Sequence, residues 1–95
     1  MNKEEIIDFL RNNKKTIEEQ FHITKIGLFG SYARDEAQDS SDIDIVIEAK
    51  IHKFKNRMAL KYFLEEHFQK KVDVVYLDTM RSLIREHIEN QIIYA

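Results

Sequence analysis

Cysteine and proline are both absent from this 95-residue chain, and glycine occurs only twice. Without cysteine, the chain has neither a disulfide framework nor a thiolate metal site, which fits a reducing compartment. The two glycines, Gly27 and Gly30, flank a single apolar run, so little in the sequence interrupts regular structure. We therefore expect a chain made mostly of helices and strands, in which each glycine serves a local purpose.

Long hydrophobic segments are also missing. No apolar run approaches the roughly 20 residues that cross a bilayer, and residues 1–10 lack the features of a signal peptide. We expect a soluble, cytoplasmic protein without membrane contact. Positive and negative charges are nearly balanced, with 15 Lys and Arg against 17 Asp and Glu and a net charge of −2. This balance gives no general attraction to nucleic acid, so direct nucleic-acid binding is not expected.

The length predicts one domain, residues 1–95, with a modest core built from the 43% of residues that are apolar. No linker, repeat or low-complexity tract divides the chain. We expect no separate substrate domain, so a large acceptor would have to be presented by another molecule.

Helices are predicted where apolar residues recur at three- and four-residue spacing. These segments are residues 2–20, 53–69 and 80–92. In the middle segment two sets of residues stand in i,i+4 relation: Phe54, Met58 and Tyr62, and Ala59 and Phe63. The last segment is expected to begin after a cap at Asp78 or Thr79. Its apolar stripe includes His87, which we expect in the core or at an interface.

Strands are predicted by alternation and by β-branched or aromatic runs. They cover residues 23–29, 43–47 and 72–77, and a short helix is expected to open at Ser31 before a polar loop over 37–41. The result is an α/β (α+β) fold, a small mixed sheet with flanking helices. The helix between the last two strands suggests a crossover unit, but the pattern does not fix strand order.

Asp42 and Asp44 stand two residues apart where the second strand begins. Residues at this spacing point to the same face of a strand, so the two carboxylates project in parallel. Side by side they repel, and a divalent cation such as Mg²⁺ removes that cost. Asp73, between two valines, is a third candidate that a neighbouring strand would bring beside Asp44. All three would equally fit a solvated strand face, so the pattern alone leaves both interpretations open.

Gly30 and Ser31 lie where a strand meets a helix, and Arg34 follows within one turn. A glycine at such a turn lets a ligand approach the backbone, and free N–H groups there attract anions. Ser31 adds a hydroxyl, and Arg34 adds a planar guanidinium group that can donate two parallel hydrogen bonds to a phosphate. Alternatively, Gly30 only makes the turn and Ser31 only caps the helix. A phosphate site followed by three carboxylates is what phosphoryl or nucleotidyl transfer requires.

The composite pattern resembles a known motif. Gly30-Ser31, followed after ten residues by Asp42-Ile43-Asp44, is similar to the motif of the DNA polymerase β superfamily. Within that superfamily, GSYARDEAQDSSDIDIVIE resembles the minimal nucleotidyltransferases, which are short proteins often encoded beside a HEPN-domain partner as toxin–antitoxin pairs. The resemblance covers essentially the whole chain and implies the polymerase β-like nucleotidyltransferase fold.

The resemblance also implies a role for each matching residue. Gly30, Ser31 and Arg34 would bind the phosphates of ATP or another NTP. The carboxylates that hold Mg²⁺ and carry out catalysis would be Asp42, Asp44 and Asp73, with Asp73 next to the attacking hydroxyl. One departure concerns the residue after the arginine, where many relatives have glycine and this chain has Asp35. That aspartate adds an acidic group near the expected path of the triphosphate.

Three functions remain open at this point. The first is an antitoxin that transfers AMP, or another NMP, to a tyrosine hydroxyl of a HEPN RNase toxin. The second is a non-catalytic antitoxin that neutralises its partner by binding alone. The third is a sensor that binds NTP without transfer. The complete set of carboxylates favours the enzyme, because a pure binder has no need of three.

One local basic cluster remains to be assigned. It consists of Lys50, Lys53, Lys55, Arg57 and Lys61. We interpret it as a solvated helix face, and contact with a partner or with NTP is the alternative. The histidines show no metal-binding spacing.

Overall fold

The computed structural model describes residues 1–95. Its helices are α1 (Lys3–Asn12), α2 (Lys14–Phe21), α3 (Gly30–Ala33), α4 (Phe54–Phe68) and α5 (Ser82–Glu89). Its strands are β1 (Lys25–Phe29), β2 (Ile43–Glu48), β3 (Val72–Tyr76) and β4 (Ile93–Tyr94). Helices flank one four-stranded sheet, which confirms the predicted α/β (α+β) fold. None of the helices combines the length and the apolar character needed to span a membrane.

The strands lie in the order β3-β2-β1-β4. β1 runs antiparallel to both β2 and β4, whereas β2 and β3 are parallel. Parallel neighbours require a crossover connection, and α4 provides it, as the sequence suggested. The sheet is therefore mixed, and its one parallel pair joins the two strands that carry aspartates.

The two faces of the sheet differ in what they bury. Ile43, Ile45 and Ile47 of β2 belong to a main core of 18 buried residues, which also includes buried residues of α1, α2 and α4. On the opposite face Val46 joins Leu77 and Ile88 in a second cluster of 3 buried residues. Since strand residues alternate between faces, the isoleucines point to the main core and Asp42 and Asp44 point away from it.

The first predicted helix is interrupted. A single helix over residues 2–20 is wrong, because the chain leaves helical geometry at Asn13, where φ is −114° and ψ is 11°. The Asn13 side-chain amide donates to the carbonyl of Phe9 at 2.9 Å. This bond offers the backbone an alternative to continuing the helix, which is why asparagine is common at helix boundaries. α2 then begins at Lys14.

Helix α4 is confirmed. Of the two predicted i,i+4 sets, only Phe63 packs against the main core, as a partly buried residue, and Ala59 is exposed. Leu60, Leu64 and Phe68 pack into the core, whereas Phe54 is 71% exposed and Tyr62 is 59% exposed. The helix carries two apolar stripes, and periodicity alone does not tell which of them meets the sheet.

The C-terminal region differs most from the prediction. Asp78 and Thr79 do not cap a helix but form a 3₁₀ turn over Leu77–Thr79, in which the Thr79 hydroxyl donates to the carbonyl of Tyr76. Helix α5 ends at Glu89, and His87 is exposed rather than in the core. The chain then turns back to add β4, a strand too short to be recognised from its residues.

Part of the basic cluster stabilises an edge of the sheet. β3 has no strand on its outer side. Its outward carbonyls are covered by α4, since Arg57 Nη1 donates to the carbonyl of Val74 at 3.0 Å and Lys61 Nζ donates to that of Val72 at 2.7 Å. Glu65 accepts from the backbone N–H of Val72. The interpretation as a solvated face is therefore wrong for Arg57 and Lys61, which act as partners for an otherwise unpaired strand edge.

Candidate active site

The parallel pairing of β2 and β3 places Asp44 directly opposite Asp73. Directly opposed residues in neighbouring strands point to the same face, so these two carboxylates are neighbours. Asp42 immediately precedes β2, and two-residue spacing gives it the same face as Asp44. The expectation that a neighbouring strand brings Asp73 beside Asp44 is thus confirmed. Asp73 is exposed, although it lies between two valines.

Ionisation of Asp44 is costly at this position. None of the three carboxylates forms an ion pair with a basic side chain. Burial raises the pKa of Asp44 from 3.8 to about 6, with further upward contributions from Asp73 and Asp42 and a smaller opposing one from Arg34. A half-buried carboxylate in this setting is poised to accept a cation.

Gly30 is packed against the carboxylate of Asp44. Its φ is +76°, in the left-handed region that favours glycine. A Cβ at this position would lie 2.9 Å from the Asp44 Cγ and 3.0 Å from its Cβ, closer still to a carboxylate oxygen. From the sequence, we expected a glycine here because it would let a ligand approach the backbone. The structure adds a second reason, because only glycine lets Asp44 stand against the turn.

Gly30 and Ser31 open α3, and Arg34 ends it. The helix starts one residue earlier than expected, so Ser31 lies within it and no side chain caps its first turn. Arg34 is exposed, and its Nε donates to Glu36 at 3.4 Å. The three residues expected to bind phosphate therefore lie on one short turn that begins against Asp44. Their role toward a nucleotide stays a prediction.

Asp35 adopts the backbone conformation that glycine favours. Its φ is +58°, and its carboxylate binds Lys3 Nζ at 2.9 Å. This conformation explains why glycine suits the position after the arginine, and aspartate is among the few other residues that tolerate it. The ion pair also holds the acidic group on α1, so its charge has a partner within the chain.

Gln91 is the residue at this site that the sequence did not indicate. Its Oε1 accepts from the backbone N–H of Gly30 at 3.3 Å and from Arg34 Nη1 at 3.0 Å. In the sequence it only lies within the segment predicted as the last helix, residues 80–92. No local signal identifies it, because the contact spans about 60 residues and depends on the return of the chain to β4.

The chemistry of the donor set fits a divalent cation. No three His, Asp or Glu side chains are grouped closely enough to hold a metal ion by themselves. Mg²⁺, however, usually takes one or two carboxylates and completes its octahedron with water and substrate phosphates. The unpaired, opposed Asp44 and Asp73, with Asp42 on the same face, match that requirement. A single site shared by all three stays a prediction.

A separate cleft lies away from the carboxylates. It has a volume of about 560 Å³ and is lined by His22, Ile23, Thr24, Lys50, Ile51, Lys53, Lys55 and Asn56. Thr24 precedes β1 and Lys50 follows β2, so this cleft is at the end of the β1–β2 ladder opposite to Asp44. The remaining lysines of the basic cluster therefore do not face the carboxylates.

Comparisons with known proteins agree with this geometry. The family model for the nucleotidyltransferase domain matches residues 5–95. The protein adenylyltransferase MntA of Thermococcus cleftensis is 34% identical over 93 residues, which cover 97% of this chain and 94% of that protein.

Two solved structures contain chains of the same fold. One, a mutant of the toxin–antitoxin MntA–HpeT, has a TM-score of 0.67 at 25% identity and covers 99% of this chain and 71% of the other. The second is a tri-AMPylated HEPN toxin of Shewanella oneidensis in complex with an MNT antitoxin. It has a TM-score of 0.66 at 22% identity, and the match covers 92% of this chain and 69% of the other. The chain therefore belongs to the nucleotidyltransferase family of enzymes, and within it to the MntA-like minimal nucleotidyltransferases.

Proposed function

We propose that this chain is a Mg²⁺-dependent protein adenylyltransferase that acts as an antitoxin, moving AMP from ATP to a tyrosine hydroxyl of a HEPN toxin. The observation that carries the proposal is the register that sets Asp44 opposite Asp73, with Gly30 packed against Asp44. The name of the Thermococcus relative supports adenylyl transfer, and the AMPylated HEPN toxin in complex with an MNT antitoxin supports the partner.

Each residue has a defined part in the proposed reaction. Gly30, Ser31 and Arg34 hold the triphosphate, and Asp42 and Asp44 hold the metal with help from Asp73. Mg²⁺, when bound, neutralises phosphate charge and makes the α-phosphorus a better electrophile. Asp73 is exposed, so it is open to an acceptor presented from outside.

The transfer balances as an in-line displacement. The tyrosine oxygen forms a bond to the α-phosphorus, the bond from that phosphorus to the bridging oxygen breaks, and pyrophosphate leaves. Asp73 takes the hydroxyl proton. The product carries a bulky negative group on the toxin, which would oppose binding of RNA at an RNase site.

Mass spectrometry tests this proposal directly. A cognate HEPN protein, incubated with the purified chain, ATP and Mg²⁺, should gain the mass of AMP on a tyrosine. Asp44→Asn should abolish the gain, because it removes the central metal-binding carboxylate. Asp8→Asn is the matched control, since Asp8 is exposed on α1 and forms no ion pair, and it should modify the partner as the wild type does.

Two results would replace the proposal. A toxin that is inhibited but unmodified would identify a binding-only antitoxin. A chain that binds ATP but neither modifies nor inhibits the partner would identify a nucleotide sensor.

A further inference from the structure

The carboxamide of Gln91 connects two groups that the proposed function assigns to the triphosphate. The N–H of Gly30 and the guanidinium of Arg34 both donate to one oxygen, Gln91 Oε1, at 3.3 and 3.0 Å. A phosphate oxygen bound by the same two donors would have to occupy the position of that oxygen. The geometry shows that the two donors converge on a point that holds one acceptor atom.

The segment that carries Gln91 is fixed on both sides. The N–H of Gln91 donates to the carbonyl of Ile88 at 2.9 Å, and Ile88 and Ile92 pack in the small cluster with Val46. Beyond Gln91, β4 pairs with β1. The carboxamide is therefore delivered to the phosphate turn by packing and strand pairing, and only its own side-chain torsions have to change for it to leave.

We propose that Gln91 occupies the phosphate position in the nucleotide-free enzyme and is displaced when the triphosphate binds. This inference rests on the proposed function. A neutral amide oxygen satisfies Gly30 and Arg34 without neutralising the arginine, whereas a phosphate oxygen brings a negative charge that attracts the guanidinium and strengthens both bonds. Exchange of the amide for the nucleotide is thus favourable, but the amide lowers the apparent affinity because it competes.

Calorimetry on the full chain with Mg²⁺ and a non-hydrolysable ATP analogue tests the competition. Gln91→Ala removes the competitor and should tighten binding about 2- to 10-fold, because the nucleotide no longer has to replace the bonds of Gln91 to Gly30 and Arg34. Gln91→Glu should weaken binding, because its carboxylate pairs with Arg34 and repels phosphate. If Gln91 had a purely structural role, both substitutions would change the affinity for the analogue in the same direction.

Gln20 supplies the matched controls. It is exposed on α2, so Gln20→Ala and Gln20→Glu should both bind the analogue as the wild type does. Circular dichroism of all variants establishes that they are folded. If the wild type binds the analogue and folded Gln91→Ala binds no more tightly, this inference is overturned while the proposed function stands. If the folded wild type binds no analogue, the proposed function fails and this inference falls with it.

Discussion

Asp44 lies half-buried on the sparsely packed face of the sheet, with Asp73 opposite it and Asp42 two residues before it. The pKa of Asp44 is raised from 3.8 to about 6, chiefly by burial and then by the neighbouring carboxylates. Its ionisation therefore opposes folding, while a bound cation would favour the ionised form. The site is electrostatically strained until a positive charge enters it.

The raised pKa predicts a pH-dependent loss of stability in the metal-free protein. Between pH 3.8 and about 6 the folded chain holds a proton on Asp44 that the unfolded chain has released. The contribution of Asp44 to the free energy of unfolding should therefore be fully present below this window and be lost as pH rises through it. Asp44→Asn cannot ionise, so it should lack this loss and be at least as stable as the wild type above pH 6. Urea unfolding in a chelating buffer measures both curves.

The same experiment has an internal control. Asp8→Asn removes an exposed carboxylate far from the cluster in the sequence and should reproduce the pH dependence of the wild type. Wild-type and Asp44→Asn curves that stayed parallel from pH 4 to 7 would show that Asp44 does not titrate as described.

Residue identities predicted part of this site and missed part of it. The two-residue spacing of Asp42 and Asp44 gave their common face, because strand geometry is local. The contact of Gln91 with Gly30 depends on the path of the whole C-terminal segment, which no local pattern encodes. The left-handed backbone conformation of Asp35 could not be predicted from the sequence either, because aspartate tolerates this conformation but does not require it.

Helix α4 covers the exposed edge of β3 through Arg57 and Lys61, whose cationic groups bind backbone carbonyls of the strand. Unpaired strand edges are templates for association with other chains. Arg57→Met and Lys61→Met keep most of each apolar stem and remove the donors. Each should lower the free energy of unfolding by about 1 kcal/mol, and the double variant should self-associate with increasing concentration in sedimentation experiments.

Lys55→Met serves as the control for this pair. Lys55 is on the same helix, is exposed and forms no ion pair, so its replacement should leave stability and association unchanged. A double variant as stable and as monomeric as this control would contradict the assigned role.

The existence and type of most helices and strands could be predicted from the sequence. Their ends, and the side of each helix that packs on the core, were less predictable. Strict alternation identified β2, and β-branched residues identified β3, since both signals are short-range. The break at Asn13 depends on one side-chain bond that competes with the helix. The packing side of α4 was ambiguous because apolar residues lie on both sides of it.

The molecule has a large core on one face of the sheet and a small one on the other, with 18 and 3 buried residues. Only Ile88 of α5 is buried, and Leu83 on that helix is 82% exposed. Elements with little buried apolar surface open at lower free energy than the core. Hydrogen exchange should therefore give the amides of α5 lower opening free energies than those of β1 and β2.

Mass spectrometry of peptic peptides measures that difference. Peptides from β2 should exchange near the rate set by global unfolding, and peptides covering 82–89 should exchange faster. Equal protection in the two regions would mean that the sheet and α5 unfold as one unit.

The order of the strands in the sheet could not be predicted from local sequence patterns, because it depends on the path of the entire chain. The crossover through α4 followed from a helix between two strands, but the position of β1 between β2 and β4 did not. β4 has only two residues, too few to establish a period. Its pairing with β1 is what completes the sheet and brings the C-terminal segment back to the turn at Gly30.

The separation of the main core from the carboxylates has a consequence for genetics. A substitution at Asp42, Asp44 or Asp73 removes no side chain from the main core, so the altered protein should accumulate in cells to the level of the unaltered one. A growth defect caused by such an allele would then report lost chemistry and not lost abundance. An allele that leaves a cavity in the main core, such as Ile45→Ala, would not separate lost chemistry from lost abundance. Degradation and inactivity would then produce the same phenotype.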